Sequence, residues 1–276
     1  MNFSKLQTKI YNIFSKTIAI AEKDTLMLFR FKYGVILSFI TPLISILIPI
    51  IVFGKVFEYT SNFGSWIPEN YMLFIFTGYC ILLLRRMMQT IPANLRQEKF
   101  WKTLPALMIA PFNRYYLLFG AFLSEFIMFL IPFILFLVIL LIFFPISIFT
   151  LLTIILSFIA ISLVFAGIGL ILGVFVITNE NIWGVLKVVI SLVLWISCIT
   201  YPFELFPEVI QNIINLNPIY YVIDTIRLLW LEDNLILTLS LHPFHIFILI
   251  ASTIIFPVLG VYIFNFTYKK LGITGY

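Results

Sequence analysis

Residues able to do covalent or acid–base chemistry are scarce in this 276-residue chain. It has two histidines, His242 and His245, and two cysteines, Cys80 and Cys198. A His-x-x-His spacing can put two ligands on one helical face. Pro243 lies between them and no third ligand is near in sequence, so a metal site is disfavoured. Both cysteines sit in apolar runs and read as buried thiols, not as a disulfide framework or metal site. There is no G-x-x-x-x-G-K-[ST] phosphate loop, so the chain does not hydrolyse nucleotide by that route; H-E-x-x-H and G-x-S-x-G are also absent. What remains is charge in unusual places. Arg85 and Arg86 lie toward one end of an apolar run, and Glu125 lies about ten residues into another, roughly 15 Å deep at 1.5 Å per residue. Charges inside lipid are usually paired or line a pathway. Glu125 is expected to pair with one arginine and leave the other for an anionic substrate headgroup. The alternative is that both arginines snorkel and the carboxyl stays protonated.

The elements that hold these charges are membrane spans. Hydrophobic residues make up 62% of the chain and charged residues 11%, against about 45–50% and about 25% in soluble domains. We therefore expect one all-α integral membrane domain over residues 1–276, with no separate soluble catalytic domain. Six spans are expected at 34–54, 69–91, 115–143, 149–177, 183–203 and 244–266. Each is near the roughly 20 residues that cross a hydrocarbon core of about 30 Å. Pro42, Pro49, Pro132 and Pro257 fall inside them, as membrane helices tolerate. Gly169-x-x-x-Gly173 permits close helix contact and is read as general packing. Residues 3–23 precede the first span within a cytoplasmic segment 1–33. On a helix Lys5, Lys9, Asn12, Lys16 and Lys23 fall within an arc of about 60°. Such a helix lies in the headgroup plane with its lysines toward water. No small-residue cleavage site follows the first apolar run, so no cleavable leader is expected.

Orientation follows from the basic residues. With both termini in the cytoplasm, 15 of the 17 lysines and arginines are inside, and only Lys55 and Arg227 are outside. Outer segments carry Glu58, Glu69, Glu204, Glu208, Asp224, Glu232 and Asp233 instead. Residues 204–243 are apolar but interrupted by charge, and are read as outer re-entrant or capping helices before the last span. Asn217 and Pro218 form a helix start, as N-cap and first helical residue. Asp224 and Arg227 are then one turn apart and can pair.

Between spans two and three lies the most informative inner segment, 95–114. It is short and basic, with Phe100, Trp101, Leu104, Leu107, Met108 and Ile109 at its centre. This suits either a docking surface or an interfacial loop resting its aromatics on lipid.

Three features in order resemble the type-2 exporter permeases of ATP-binding-cassette (ABC) transporters. The first is Glu98-Lys99-x-x-Lys102-Thr103-Leu104, followed by Ala110-Pro111 and Arg114. The second is Asn217-Pro218-Ile219-Tyr220-Tyr221 with Asp224 and Arg227. The third is the sequence of parts: amphipathic start, six spans, long outer loop, short basic tail. Lys102 departs from the pattern, since many relatives carry glycine there. The resemblance implies a permease half in a cell membrane, paired with a second copy, a homodimer ahead of a heterodimer. A separate ATPase subunit would carry ATP and Mg, and this chain would bind no cofactor and no nucleic acid. Segment 98–110 would be the coupling helix, seated in a cleft of the ATPase, with Glu98, Lys99, Phe100, Trp101, Lys102, Thr103, Leu104, Pro111 and Arg114 as its coupling residues. Arg85, Arg86 and Glu125 would line the substrate path, and Asn217, Pro218, Tyr220, Tyr221, Asp224 and Arg227 the outer gate. The expected cargo is a lipid, a lipid-linked glycan or a hydrophobic drug-like molecule, exported through contact with membrane lipid. A stand-alone secondary transporter predicts an internal repeat that is not evident. An intramembrane enzyme requires a polar catalytic cluster that is also missing.

Overall fold

The computed structural model describes residues 3–56, 64–102 and 115–271. Thr103, Leu104, Pro111 and Arg114 lie outside the described residues. Among those described, regular structure is entirely helical, as an apolar chain in lipid requires: each backbone donor and acceptor must be satisfied within its own segment. The helices are α1 (Phe3–Arg30), α2 (Lys32–Val56), α3 (Tyr71–Leu84), α4 (Arg86–Phe100), α5 (Tyr115–Phe143), α6 (Ile148–Thr178), α7 (Trp183–Trp195), α8 (Glu208–Ile214), α9 (Pro218–Glu232), α10 (Leu235–Leu241) and α11 (Pro243–Leu271).

Five stretches are long and apolar enough to cross a membrane: 32–56, 71–100, 119–143, 148–178 and 243–267. They match five of the six expected spans. The sixth, expected at 183–203, differs. Its helix α7 has 13 residues, about 20 Å of rise, which is short of a hydrocarbon core of about 30 Å. Turns follow at 196–198, and Cys198 sits in the left-handed region at φ 54°. Hydropathy persists to residue 203 while the backbone breaks at 196, so the apolar run overstates the helix.

Helix α6 is the axis of the bundle. Ile154, Ile161, Val164, Phe165 and Ala166 are fully buried on it. It approaches α11 and α4 through glycines. A Cβ at Gly167 would meet the backbone of Phe256 and Pro257 at 2.5 Å, and one at Gly260 would meet the Gly167 carbonyl at 2.8 Å. Gly169 and Gly173 face α4: added Cβ atoms would lie 2.7 Å from the Met87 carbonyl and 2.5 Å from Leu95. The small-residue pair thus serves packing within the chain, since only glycine admits such close backbones. By contrast α2 carries exposed Ile36, Leu37, Ile40, Leu43, Ile44, Leu47, Ile48 and Ile51. A helix apolar on all sides with so little protein around it presents itself to lipid or to another chain.

The amphipathic α1 runs to Arg30, past its expected end at residue 23. It crosses the start of α5, where a Cβ at Gly120 would lie 2.5 Å from Ile20. At the opposite end of the bundle, α8, α9 and α10 are too short to cross. Helix α9 is wedged into the core through Val222, Ile223, Ile226 and Leu229, against α3, α6 and α11.

Candidate functional site

Two polar clusters occupy opposite ends of the bundle. The first lies where α1, α4 and α5 meet, at the end expected from the basic residues to face the cytoplasm. Lys23 on α1 donates to the Glu98 carboxylate on α4. Asp24, next to Lys23, is buried. Burial pushes its carboxyl up to about 6; Lys23 opposes that shift, while Glu125 and Glu98 add to it. Deeper in the bundle, Arg86 Nε lies 3.5 Å from Glu125 Oε2. Glu125 is 3% exposed. Arg86 Nη1 and Glu125 Oε1 are buried without a hydrogen-bond partner among the described residues. An ion pair with one long contact and an unused atom on each side leaves donor and acceptor capacity for something else. Arg85 is half-buried and has no ion-pair partner among the described residues. The geometry thus brings Glu125 to Arg86 and leaves Arg85 apart.

Helix α4 runs from this cluster to the start of the segment expected from the sequence to couple to a partner. Lys99 Nζ donates to the Ile177 carbonyl at 2.8 Å. That satisfies an orphan acceptor in the last turn of α6, where a cation also suits the helix dipole. The helix then ends at Trp101, and Lys102 turns left-handed at φ 59°. This is the αL stop that glycine usually supplies. Phe100 and Trp101 stand exposed beside it.

The second cluster surrounds Arg227 at the other end. Its side chain is 1% exposed. Nη1 donates to the Cys198 carbonyl and Nη2 to the Ile199 carbonyl, both at 2.7 Å, while Nε points to Thr77 Oγ1 at 3.4 Å. The guanidinium also lies over the Phe74 ring, 3.7 Å from its centroid, a cation–π contact in a desolvated place. Space for this comes from Gly78, where a Cβ would meet the Ile199 carbonyl at 2.7 Å. Arg227 therefore holds the break after α7, supplying donors to carbonyls that a continuing helix would have used.

Asn217 works on the same break. Its Oδ1 accepts from the Ile219 amide at 3.1 Å, capping α9 with Pro218 in the first turn. Its Nδ2 donates to Ser197 Oγ at 2.8 Å, and Ser197 in turn donates to the Val193 carbonyl at 2.7 Å. Tyr220 stacks on Phe203, and the Tyr221 hydroxyl donates to the Asn215 carbonyl at 3.0 Å.

The expected pairing of Asp224 with Arg227 takes another form. The Asp224 carboxylate lies 3.3 Å from His245 Nε2, and Glu232 lies 3.2 Å from His242 Nε2. Each histidine thus faces a carboxylate of α9, His245 from α11 and His242 from the end of α10, and among the described residues no three potential ligands converge on a metal position. Arg227, Asp224, Tyr220, Glu204 and Trp66 line a cavity of about 50 Å3. That is room for a water or two at about 30 Å3 each, far below the volume of a lipid. Burial raises the Glu204 carboxyl at its rim.

Two further residues matter that the sequence reading does not single out. Asp233 ends α9 at φ 45° and accepts the Ser147 amide at 2.8 Å. That bond to the start of α6 holds its carboxyl below the usual range. The Asp-Asn pair after a helical run is the signal for it, because both residues tolerate the left-handed region. Lys23 belongs to the lysine stripe expected to face water, yet it reaches Glu98. The adjacent Asp24, on an otherwise basic helix, is the hint that this turn meets protein.

The sequence pattern of the ABC-2 type transporter family matches residues 16–230. No curated protein matches the chain. The match begins within α1 and ends within α9, so it takes in the first polar cluster, Arg227 with its hydrogen-bond partners, and four of the five long apolar helices. Covering well over half the chain and agreeing with the all-helical membrane architecture, it shows that the chain belongs to the ABC-2 type transporter family.

Proposed function

We propose that this chain is the membrane half of an ABC exporter that moves a lipid, a lipid-linked glycan or a hydrophobic drug-like molecule out of the cytoplasm. ATP and Mg sit on a separate ATPase subunit, and a second copy of the chain completes the path. Both termini face the cytoplasm of a cell membrane. The observation that supports this reading best is the inner cluster. It ties α1, α4 and α5 together where α4 hands over to the segment 98–110. Force delivered to that segment reaches α5 through Arg86 and Glu125, and α1 through Lys23 and Glu98. A ligand shifts such an equilibrium only through different affinities for its two states. An ion pair with unused atoms suits a joint that re-pairs between them.

Arg85, Arg86 and Glu125 then line the substrate path near an anionic headgroup. Asn217, Pro218, Tyr220, Tyr221, Asp224 and Arg227 form an outer gate in its closed state, a reading supported by a cavity beside Arg227 that is too small for cargo. The test is co-expression of the tagged chain with the ATPase encoded beside it, followed by purification. The expected result is a stable complex whose ATPase activity rises with a lipid or lipid-linked substrate. Arg85→Ala and Arg86→Ala should each blunt that rise. A chain that never retains an ATPase overturns the proposal.

A further inference from the structure

Helix α1 gives way to α2 across a single bent residue, Phe31. The Val35 amide donates to the Phe31 carbonyl at 3.2 Å, so the second helix begins at once. Both arms of this elbow are held by protein, but only away from the bend. On α1 the ties are Ile20 against Gly120, the buried Asp24, and Lys23 on Glu98. On α2 they are the Phe39 carbonyl, which accepts from the Tyr79 hydroxyl at 3.3 Å, and Phe53, buried beside Tyr71. Between these ties Phe29, Phe31 and Tyr33 are 45%, 67% and 85% exposed. Arg30 and Lys32 are exposed too, and neither has an ion-pair partner among the described residues.

The depth of the elbow follows from α2. Its 25 residues make about 37 Å of helix, against a hydrocarbon core of about 30 Å. Its only charged residues are Lys32 and Lys55, one near each end. Each therefore falls just outside hydrocarbon, at the level of the lipid phosphates. Aromatic rings at that level belong in the headgroup region. From Thr25 to Val35 the chain carries two cations, Arg30 and Lys32, and no carboxylate. Nothing in the elbow itself neutralises them. In the proposed orientation they face the cytoplasmic leaflet, which is the anionic one.

We propose that this elbow is a binding site for anionic phospholipid. Arg30 and Lys32 hold the headgroup phosphate from either side of the bend, and Phe29, Phe31 and Tyr33 seat in the interface around it. Charge complementarity selects the occupant: a zwitterionic headgroup leaves the two cations uncompensated. Each cation near an anionic surface is worth roughly fivefold in affinity. Because α1 is also tied to α4 through Lys23 and Glu98, the bound lipid fixes the angle between α1 and the first span. The site requires α2 to cross the membrane but requires no ATPase, so it goes beyond the permease reading and stands or falls apart from it.

The experiment uses the full-length chain in nanodiscs of phosphatidylcholine, with or without phosphatidylglycerol. The readouts are melting temperature and the lipid retained after detergent extraction, weighed by mass spectrometry. Wild type should retain phosphatidylglycerol over phosphatidylcholine and melt several degrees higher with it. Arg30→Gln and Lys32→Gln should each cut that retention about fivefold, and the double variant about twentyfold. The double variant should lose the thermal shift yet melt like wild type in phosphatidylcholine alone. Lys187→Gln, which removes an exposed cation from another helix, should behave as wild type. Equal retention of the two lipids by wild type overturns the site without recourse to any variant. So does a thermal shift that survives in the double variant. If Lys187→Gln loses as much as the elbow variants, the lipid reads overall charge and the elbow is no site. A shift produced by inorganic phosphate in phosphatidylcholine discs also overturns it, because the ligand is then a free anion.

Discussion

The two clusters, inner and outer in the proposed orientation, both bury charge, but they satisfy it differently. Arg227 spends its donors on backbone carbonyls at 2.7 Å and on an aromatic face. Those partners are fixed by the fold and cannot be exchanged without unwinding the break after α7. Arg86 and Glu125 share one contact of 3.5 Å, and an atom of each is left over. Side-chain ion pairs between separate helices can break and re-form as the helices shift. The outer cluster is thus built as a fixed joint and the inner one as a movable joint. Depth of burial separates them only in part: Arg227 and Glu125 are 1% and 3% exposed, while the Arg86 side chain is 22% exposed. The kind of partner separates them fully.

Removing the fixed joint should cost most. Arg227→Ala orphans two buried carbonyls, at roughly 2 kcal/mol each, so a loss of about 4 kcal/mol is expected. Thermal melting and yield in detergent should both collapse. Arg227→Lys keeps the charge but cannot fork to two carbonyls, and should recover only part of the loss. If Arg227→Ala melts like wild type, the break after α7 does not depend on this side chain and the contrast fails.

The movable joint should show coupling instead. Glu125→Ala leaves the Arg86 charge buried alone, with an expected cost of about 3 kcal/mol. Removing both partners should cost less than the sum of the single changes, which a double-mutant cycle in melting free energy reads directly. In transport assays each single change should uncouple ATP hydrolysis from movement more than it lowers stability. A cycle that closes to zero would leave the two side chains independent and the joint without substance.

Asp24 sharpens the inner half through pH. Its carboxyl is raised to about 6, chiefly by burial, above the ordinary value near 3.9. Between about pH 4 and pH 6 the folded chain therefore holds a proton that the unfolded chain has lost. The stability this group contributes is full below that window, falls as pH rises through it, and stays low above it. Asp24→Asn mimics the protonated form. It should be more stable than wild type by about 2 kcal/mol at pH 7.5 and converge with it near pH 4. Melting curves at several pH values give the difference, and an unchanged gap across that range would place the carboxyl in water.

Much of this architecture is legible in the amino-acid sequence. Uninterrupted apolar runs locate five long helices, because lipid enforces helices of a given length. Asn217 and Pro218 announce the start of α9, because capping is local chemistry written in adjacent residues. The break at 196 is not legible. Ile196 to Ile199 stay apolar or small, while the reason for stopping, Arg227, lies 28 residues beyond Ile199. Glu125 calls for an arginine, but the choice of Arg86 over Arg85 is decided by helix rotation. Lys23 to Glu98 spans 75 residues and needs the packing of α1 on α5. Long-range polar contacts are thus invisible wherever their partners lack a local pattern.

Asn217 is where the local and long-range parts of the outer joint separate, and it carries the smallest expected effect. Its oxygen caps α9 and its amide nitrogen reaches Ser197 across the break. Asn217→Ala loses both, for about 2 kcal/mol: about 1 for the cap and about 1 for the second hydrogen bond. Asn217→Asp keeps an oxygen to cap the helix but has no donor for Ser197, and should lose only about 1 kcal/mol. Were Asp as stable as Asn, the cap alone would matter and the second tie across the break would be incidental. Were Asp as harmful as Ala, the tie would dominate, and the outer joint would rest on Asn217 as well as on Arg227. The expected intermediate result assigns the two halves of one amide to two different tasks.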